Sequence, residues 1–438
     1  MLLTFRVSNF LSFNEEVEFS MLAGQVKQPE NHVTPLDKSR GALKSALIYG
    51  ANASGKSNLL KSIDYARQVL LSGTKKVMAR NLFFRLEKDA EARPSKFEFE
   101  IKIGEKVYAY GFTVMLNTRK ICEEWLFLVK KSADRAIFER TIIDGRSEMA
   151  SLPTLRGAAA SRLQVYVDDL SDEQLLLNVL HNKRGEEFSI FHTIYNWFAN
   201  QLIVFYPEST YPKIGRIVQE EVEMFSAYLR YFKTGIEEIE IEEEELSDID
   251  FDSMEIGEKI EFDPEEFSKP HLVARSARIA MNSSGDIVRH HLFGKYSQKG
   301  SSSFVKLDLN QESDGNRRLI DIIPLLIEMS RQGKTVFIDE IDRSLHPELT
   351  RRLLEAFFQR NQQPESQLIL TTHESSLLDL NLLRRDEIWF AEKNADGASR
   401  IYSLEEFKPR FDTEIRKAYL QGRYGAIPFI ADAEQLGW

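Results

Sequence analysis

The sequence predicts an α/β fold with a parallel sheet, and three stretches carry that prediction. "ALIYG" (Ala46 to Gly50) is a short apolar run that enters the glycine-bracketed loop "GANASGKS", and "SNLLKSIDYARQVLL" continues it with helical apolar spacing. "TVFIDE" (Thr335 to Glu340) is a second apolar run, ending on two acids, and "QLILTT" (Gln367 to Thr372) is a third, ending just before His373. Short apolar runs of this kind suit strands buried on both faces, the habit of parallel sheets.

The remaining elements follow in chain order. "LLTFRVS" and "EEVEFSM" alternate as two strands around a turn at Asn14. Between Phe97 and Ile143, "KFEFEIKI", "KVYAYGFTVML", "EEWLFLVK" and "IFERTII" predict an antiparallel meander. Residues 157 to 232 turn to helical spacing, as in "QLLLNVL" and "FHTIYNWFANQL". An acidic block (236 to 267) and short strands up to "SFVKLDL" come next. From Gly315 the order is helix, strand, helix, strand, helix, strand. The expected organisation is an N-terminal half of a nucleotide domain (1–150), a helical insertion (151–235), an acidic and β insertion (236–310), and a C-terminal half (311–438). Heptads are not sustained and no internal repeat is visible.

Composition excludes several classes. With 438 residues, 42% hydrophobic and 29% charged, the chain reads as globular with ample core. No apolar run approaches the ~20 residues that span a bilayer, and "MLLTFRVSNF" has no secretory pattern. Cys122 is the lone cysteine, so no internal disulfide forms and a cytoplasmic setting is expected. The net charge of −11 argues against a basic coat, although a local groove with Arg80, Arg85, Arg384 or Arg385 would serve DNA. The acidic block reads as a solvated, partly mobile insertion, with a docking surface for a basic partner as the alternative.

The chemistry centres on Gly50 to Ser57, which fits G-x-x-x-x-G-K-[ST] without a mismatch. Glycines let the backbone curl so that N–H groups point at phosphate oxygens, Lys56 reaches the β/γ-phosphates, and the Ser57 hydroxyl is left for Mg²⁺. The candidate phosphate-binding stretch is Gly50, Ala51, Asn52, Ala53, Ser54, Gly55, Lys56, Ser57 and Asn58. Asp339 would hold the Mg²⁺ shell and Glu340 would orient or deprotonate a water. His373, at a strand end on the same sheet edge, is a candidate γ-phosphate sensor rather than a plain cap. In "ESDGNRRLIDIIPLLIEM", Leu319, Ile322, Ile323, Leu326 and Ile327 keep helical spacing, so Ser313, Asp314 and Gly315 start a helix. That start is a second anion site or a simple N-cap. Pro324 inside the helix predicts a kink.

Taken together, the ordered motifs resemble the ATP-binding-cassette ATPase family, in its soluble SMC/RecF/OLD-like branch. The matches are the Gly50–Ser57 loop, "ESDGN" (312–316) for the signature, Asp339/Glu340, "SLH" (344–346) for the D-loop, His373, and the opening "FRVSNFLSF". The resemblance implies ATP and Mg²⁺ as cofactors, and a homodimer or higher oligomer that sandwiches ATP head to tail. Ser313 and Gly315 would then reach the partner's γ-phosphate. Asp314 replaces a signature glycine and is expected to turn away or be paired. Leu11 stands where relatives often carry Arg or Lys. No glutamine lies between Gln68 and residue 130, so Glu123 or Glu124 would take the metal-sensing place.

No TOPRIM nuclease is expected in the 65 residues after His373, which hold no D-x-D pair. Asp248 and Asp250 lie in the acidic block, and His290 and His291 point to opposite faces of a strand. The chain resembles compact ATPases of bacterial defence modules that sit beside an RloB-like or TOPRIM effector, and "KAYLQGRYGAIPFI" (417–430) looks like their tail. The resemblance implies a sensor ATPase with a separate nuclease or toxin partner, a nucleic acid or phage protein as trigger, and no membrane. A RecF-type repair ATPase and a transporter's nucleotide-binding subunit are the alternatives.

Overall fold

A computed structural model describes residues 1–24, 26, 30–77, 81–130, 133–143, 146–151, 157–211, 214–245, 277–281, 287–300, 303–360, 363, 365–410 and 413–427. Contacts divide the chain into two units. The first comprises Met1–Tyr206, Gln332–Ile341 and Gln363–Trp438, and the second Pro207–Arg331 and Asp342–Gln362.

The first unit opens with β1 (Leu2–Ser8) and β2 (Val17–Ser20), followed by a small pair, β3 (Val33–Pro35) and β4 (Gly41–Leu43). Then β5 (Ser45–Tyr49) runs into α1 (Lys56–Ser72). The expected meander is β6 (Ser95–Ile103), β7 (Lys106–Met115), β8 (Lys120–Val129), β9 (Arg135–Ile143) and β10 (Arg146–Ser151). It captures the N-terminal pair, giving a seven-stranded sheet in the order β10-β9-β8-β7-β6-β1-β2. Alternation along β6 sends Phe97, Phe99 and Ile101 inward, where they join Phe5, Tyr110 and Phe112 in the unit's main core.

Helices α2 (Ala158–Asp168), α3 (Leu176–Leu180) and α4 (Ser189–Asn196) follow as the spacing requires. One expectation fails just beyond them. "LIVF" is strand β11 (Leu202–Phe205), whereas the spacing over 157–232 predicts helix. Four apolar residues fit either period, and pairing with a buried neighbour decides the outcome.

The second sheet has the order β11-β16-β17-β5-β18-β19. Here β16 is Thr335–Ile338, β17 Gln367–Thr372, β18 Ile388–Lys393 and β19 Ser399–Ser403. The β11, β16, β17, β5 and β18 pairings are parallel, and only β19 runs antiparallel. Every residue of β5, β16 and β17 is buried. Between β17 and β18 the expected α-helix is replaced by two short 3₁₀ turns, Ser375–Leu377 and Arg385–Glu387.

The second unit holds α5 (Ile214–Glu220), α6 (Val222–Tyr231), β12 (Glu238–Glu245), β13 (Ala277–Met281), β14 (Ile287–Ser297), β15 (Phe304–Asp308), α7 (Asp314–Arg331) and α8 (Pro347–Arg360). Strand β14 pairs with β12, β13 and β15, all antiparallel. The start of the acidic block is therefore ordered strand rather than solvated chain. Ile239 is buried, and Lys295 binds Glu238 at 3.2 Å and Glu240 at 2.8 Å, offsetting the like charges of β12. The rest of that block, including Asp248 and Asp250, lies outside the described residues, as do Arg80 and residues 428–430 of the tail. Both His290 and His291 fall on β14. Helix α7 continues through Pro324. In α9 (Ile415–Leu420) of the first unit, Tyr419 stacks on Phe390 of β18.

Candidate nucleotide-binding site

Strand β5 delivers Gly50 to the carboxyl edge of the parallel sheet, and α1 begins at Lys56 with Gly55 before it at φ +112°. That value suits glycine. A Cβ at Gly55 would collide with the Ser399 side chain, and one at Gly50 with the Ala391 carbonyl and the Ser54 hydroxyl. Ser399 braces the loop from β19. Its hydroxyl lies 2.7 Å from the Ser54 carbonyl and 2.8 Å from Ser12 Oγ, and the Asn58 amide donates to the same Ser12 at 2.8 Å. The Lys56 ammonium donates to the carbonyls of Gly50 (2.7 Å) and Ala51 (3.0 Å), so the charge sits over the loop itself.

Two adjacent parallel strands, β16 and β17, bring the other groups to this edge. Asp339 follows β16, is nearly fully buried, and accepts from the hydroxyls of Ser57 (3.1 Å) and Thr371 (2.6 Å). Its own N–H donates to the Phe205 carbonyl at 2.9 Å. Glu340 has φ +44°, an unfavourable value for a non-glycine residue, and its N–H donates to Thr371 Oγ1 at 2.8 Å. His373 follows β17 directly and is exposed. The Gly50–Ser57 loop, Asp339, Glu340 and His373 thus share one edge of one sheet in one unit, the edge where open α/β sheets take ligands.

This donor set fits a nucleotide and Mg²⁺. A hydroxyl and a carboxylate, both hard oxygen ligands, face each other at Ser57 and Asp339. The loop is a cradle that Cβ atoms would fill, and inside it the buried Ser54 hydroxyl has no hydrogen-bond partner among the described residues. Separately, no group of three or more metal-ligating side chains occurs among the described residues.

Ser313 and Gly315 belong to the other unit. Ser313 caps α7, its Oγ accepting from Asn316 N–H at 3.2 Å. Asp314 is paired with Arg317 at 2.5 Å, as its charge requires. A Cβ on Gly315 would stand 2.8 Å from the Ser344 carbonyl, so the glycine lets the "SLH" turn approach the helix start.

Two expectations need correction. Glu124 is fully buried in β8, accepting from Tyr110 Oη (2.8 Å), Leu176 N (2.7 Å), Leu177 N (3.2 Å) and Arg140 (3.4 Å), so it caps α3 instead of sensing a metal. Burial pushes its carboxyl above the ordinary glutamate value, with Arg140 pulling against it. Its neighbour Glu123 is bonded to Thr113 at 3.3 Å on the same sheet. Arg384 is buried against Asp386 at 2.7 Å, and Arg385 pairs with Glu405, so neither lines an open groove, whereas Arg85 is exposed.

Sequence reasoning missed Ser12, Ser399 and Thr371. The only signal was polar residues inside or beside apolar runs, "LILTT" above all. It also missed Gln367, whose buried amide joins Leu2, Leu43 and Thr335.

A phosphate loop on a parallel sheet, with a carboxylate at the end of the next strand but one, defines the P-loop ATPase fold. Residues 45–379 match the AAA_21 family, described as "AAA domain, putative AbiEii toxin, Type IV TA system", and the chain belongs to that family. No curated protein matches it. Among solved structures, "Crystal structure of the SmcHead bound to the C-winged helix domain of ScpA" is 15% identical, covering 93% of this chain and 99% of that one at a TM-score of 0.47. "SMC head domain from Thermotoga maritima" is 12% identical over 92% and 98%, with a TM-score of 0.39. An Smc head with extended coiled coil, bound to the C-terminal domain of ScpA derived from Pyrococcus furiosus, is 14% identical over 93% and 99%, with a TM-score of 0.40. Among the described residues, no helix is long and apolar enough to cross a membrane.

Proposed function

We propose that the chain binds and hydrolyses ATP as an ABC-type ATPase, closing head to tail on a second copy around the nucleotide. We further propose that it regulates a separate nuclease or toxin in bacterial anti-phage defence. One observation carries the ATPase reading: the Ser57 hydroxyl, at the second residue of the helix behind the loop, bonds the Asp339 carboxylate. In this reading Gly50 to Asn58 cradle the phosphates and Lys56 neutralises their charge. Ser57 and Asp339 hold Mg²⁺, which supplies charge neutralisation on phosphate oxygens when bound. Glu340 orients or deprotonates the attacking water, and His373 reads the terminal phosphate.

Residues 1–150 and 311–438 act as the two halves of the ATPase, with 151–235 and 236–310 as insertions. The Ser313 hydroxyl and the bare Gly315 backbone support a role for the α7 start in the partner copy's site. The family description, which names a putative toxin and a type IV TA system, supports a toxin–antitoxin setting, and the separate effector rests on the resemblance to compact defence ATPases. The trigger is a nucleic acid or phage protein, and the setting cytoplasmic.

Glu340→Gln should accumulate an ATP-bound dimer on size exclusion with light scattering. A monomer that still holds ATP would rule out the composite site. Ser313→Arg should abolish turnover while nucleotide affinity of the monomer stays within about twofold, because the arginine obstructs only the partner's site. Equal loss of both would assign the α7 start to its own copy's nucleotide.

A further inference from the structure

The Ser57–Asp339 pair is enclosed in a ring of bonds within the first unit, and one member of that ring has no role yet. Ser57 rides on α1, and Asp64 lies seven residues on, two turns along the same face. Asp339 is fixed through its N–H to the carbonyl of Phe205, the last residue of β11. The next residue is Tyr206, and its hydroxyl donates to Asp64 Oδ2 at 3.3 Å. The path therefore runs from Ser57 to Asp339, Phe205 and Tyr206, then through Asp64 back along α1 to Ser57. The register agrees: Phe205 lies opposite Ile338, which places Tyr206 alongside Asp339 at the sheet edge.

We propose that Tyr206, held by Asp64, is a positioning residue for the metal site: it anchors the end of β11 to α1 and so sets the spacing of the Ser57 hydroxyl and the Asp339 carboxylate. The inference rests on the ATPase reading above. One more bond ties α1 to the segment before β11, Arg67 Nε to the Phe198 carbonyl at 2.8 Å, and within α1 the Gln68 amide holds Asp64 at 3.0 Å. Burial raises the Asp64 carboxyl, while Arg67, Gln68 and Tyr206 pull it down. Tyr206 is also the last residue of its unit on this pass of the chain, and the same unit's next exit, after Ile341, comes two residues beyond Asp339.

Groups that hold metal ligands in place usually control metal affinity or activity by about 10–100-fold. Tyr206→Phe keeps the ring and removes the hydroxyl. Mn²⁺ binding in the presence of ADP, followed by EPR on the full chain, should weaken about tenfold, with metal-free nucleotide affinity and melting temperature unchanged. Asp64→Leu should match it, and Asp64→Asn, which keeps an acceptor oxygen, should restore most of the affinity. The double variant Tyr206→Phe/Asp64→Leu should be no weaker than either single one, because both cut the same bond. Wild-type Mn²⁺ affinity in Tyr206→Phe, or additive losses in the double variant, would overturn the assignment. Lys56→Ala serves as the control: if it retains full nucleotide affinity the ATPase reading itself fails, whereas its loss beside an unaffected Tyr206→Phe sinks only the positioning role.

Discussion

Thr371→Val tests how the acidic strand end is held. The Thr371 hydroxyl is fully buried, donates to Asp339 at 2.6 Å and accepts from the Glu340 N–H at 2.8 Å. Valine has nearly the same shape, so the perturbation is confined to those two bonds. A hydrogen bond to an ionised group contributes about 1.5–3 kcal/mol, and a neutral one about 1 kcal/mol. Losing both should cost about 2.5–4 kcal/mol. Glu340 then keeps its φ of +44° without the bond that secures it. Turnover should fall about 10–100-fold, as for other groups that orient metal ligands. Thr371→Ser keeps the hydroxyl and should retain most activity. The assay is steady-state phosphate release beside thermal melting of all three proteins. A Val variant that melts and turns over like the parent would refute the reasoning, as would a Ser variant equally impaired.

Two further outcomes are expected. Gly55→Ala places a Cβ at φ +112° against Ser399, combining backbone strain of about 1–3 kcal/mol with overpacking of similar size. Nucleotide affinity measured by titration should drop at least about tenfold, and adding Ser399→Gly should recover only part of it, since the dihedral strain remains. Glu124→Ala strands the buried Arg140 and two N–H groups of α3, which should cost about 3–5 kcal/mol in denaturant unfolding, and a loss under 1 kcal/mol would contradict it. Because burial raises the folded-state pKa of Glu124, its contribution is fullest below the ordinary glutamate value of about 4.3 and declines as pH rises through the shifted one. Glu124→Gln should flatten that decline.

The loop-bearing edge of the parallel sheet was legible because phosphate loops and buried strands obey local rules: glycine bracketing, apolar runs, and acids at strand ends. The meander was equally legible, since alternation in "KFEFEIKI" has a period of two over eight residues. What local rules do not carry is pairing. "LIVF" became an edge strand because β16 was available beside it, and "EIEIEEEE" became ordered because lysines from β14 and β15 meet its glutamates. Glu124 and Arg384 were misread for the same reason, their partners being brought close only by the fold. Tyr206 could not be read at all, since it matters only once β11 lies against β16.

The position of β5 has a consequence for how the molecule is made. Its two neighbours are β17 and β18, and the Ile48–Thr371 pairing spans 323 residues of chain. At about 5–20 residues per second, a ribosome needs roughly 16 s or more to deliver the strand that flanks the loop. During that interval the apolar "ALIY" has no ladder to join, so it is a natural client for a holding chaperone. Fragments ending before residue 367 should express with an intact meander, yet fail to grip phosphate.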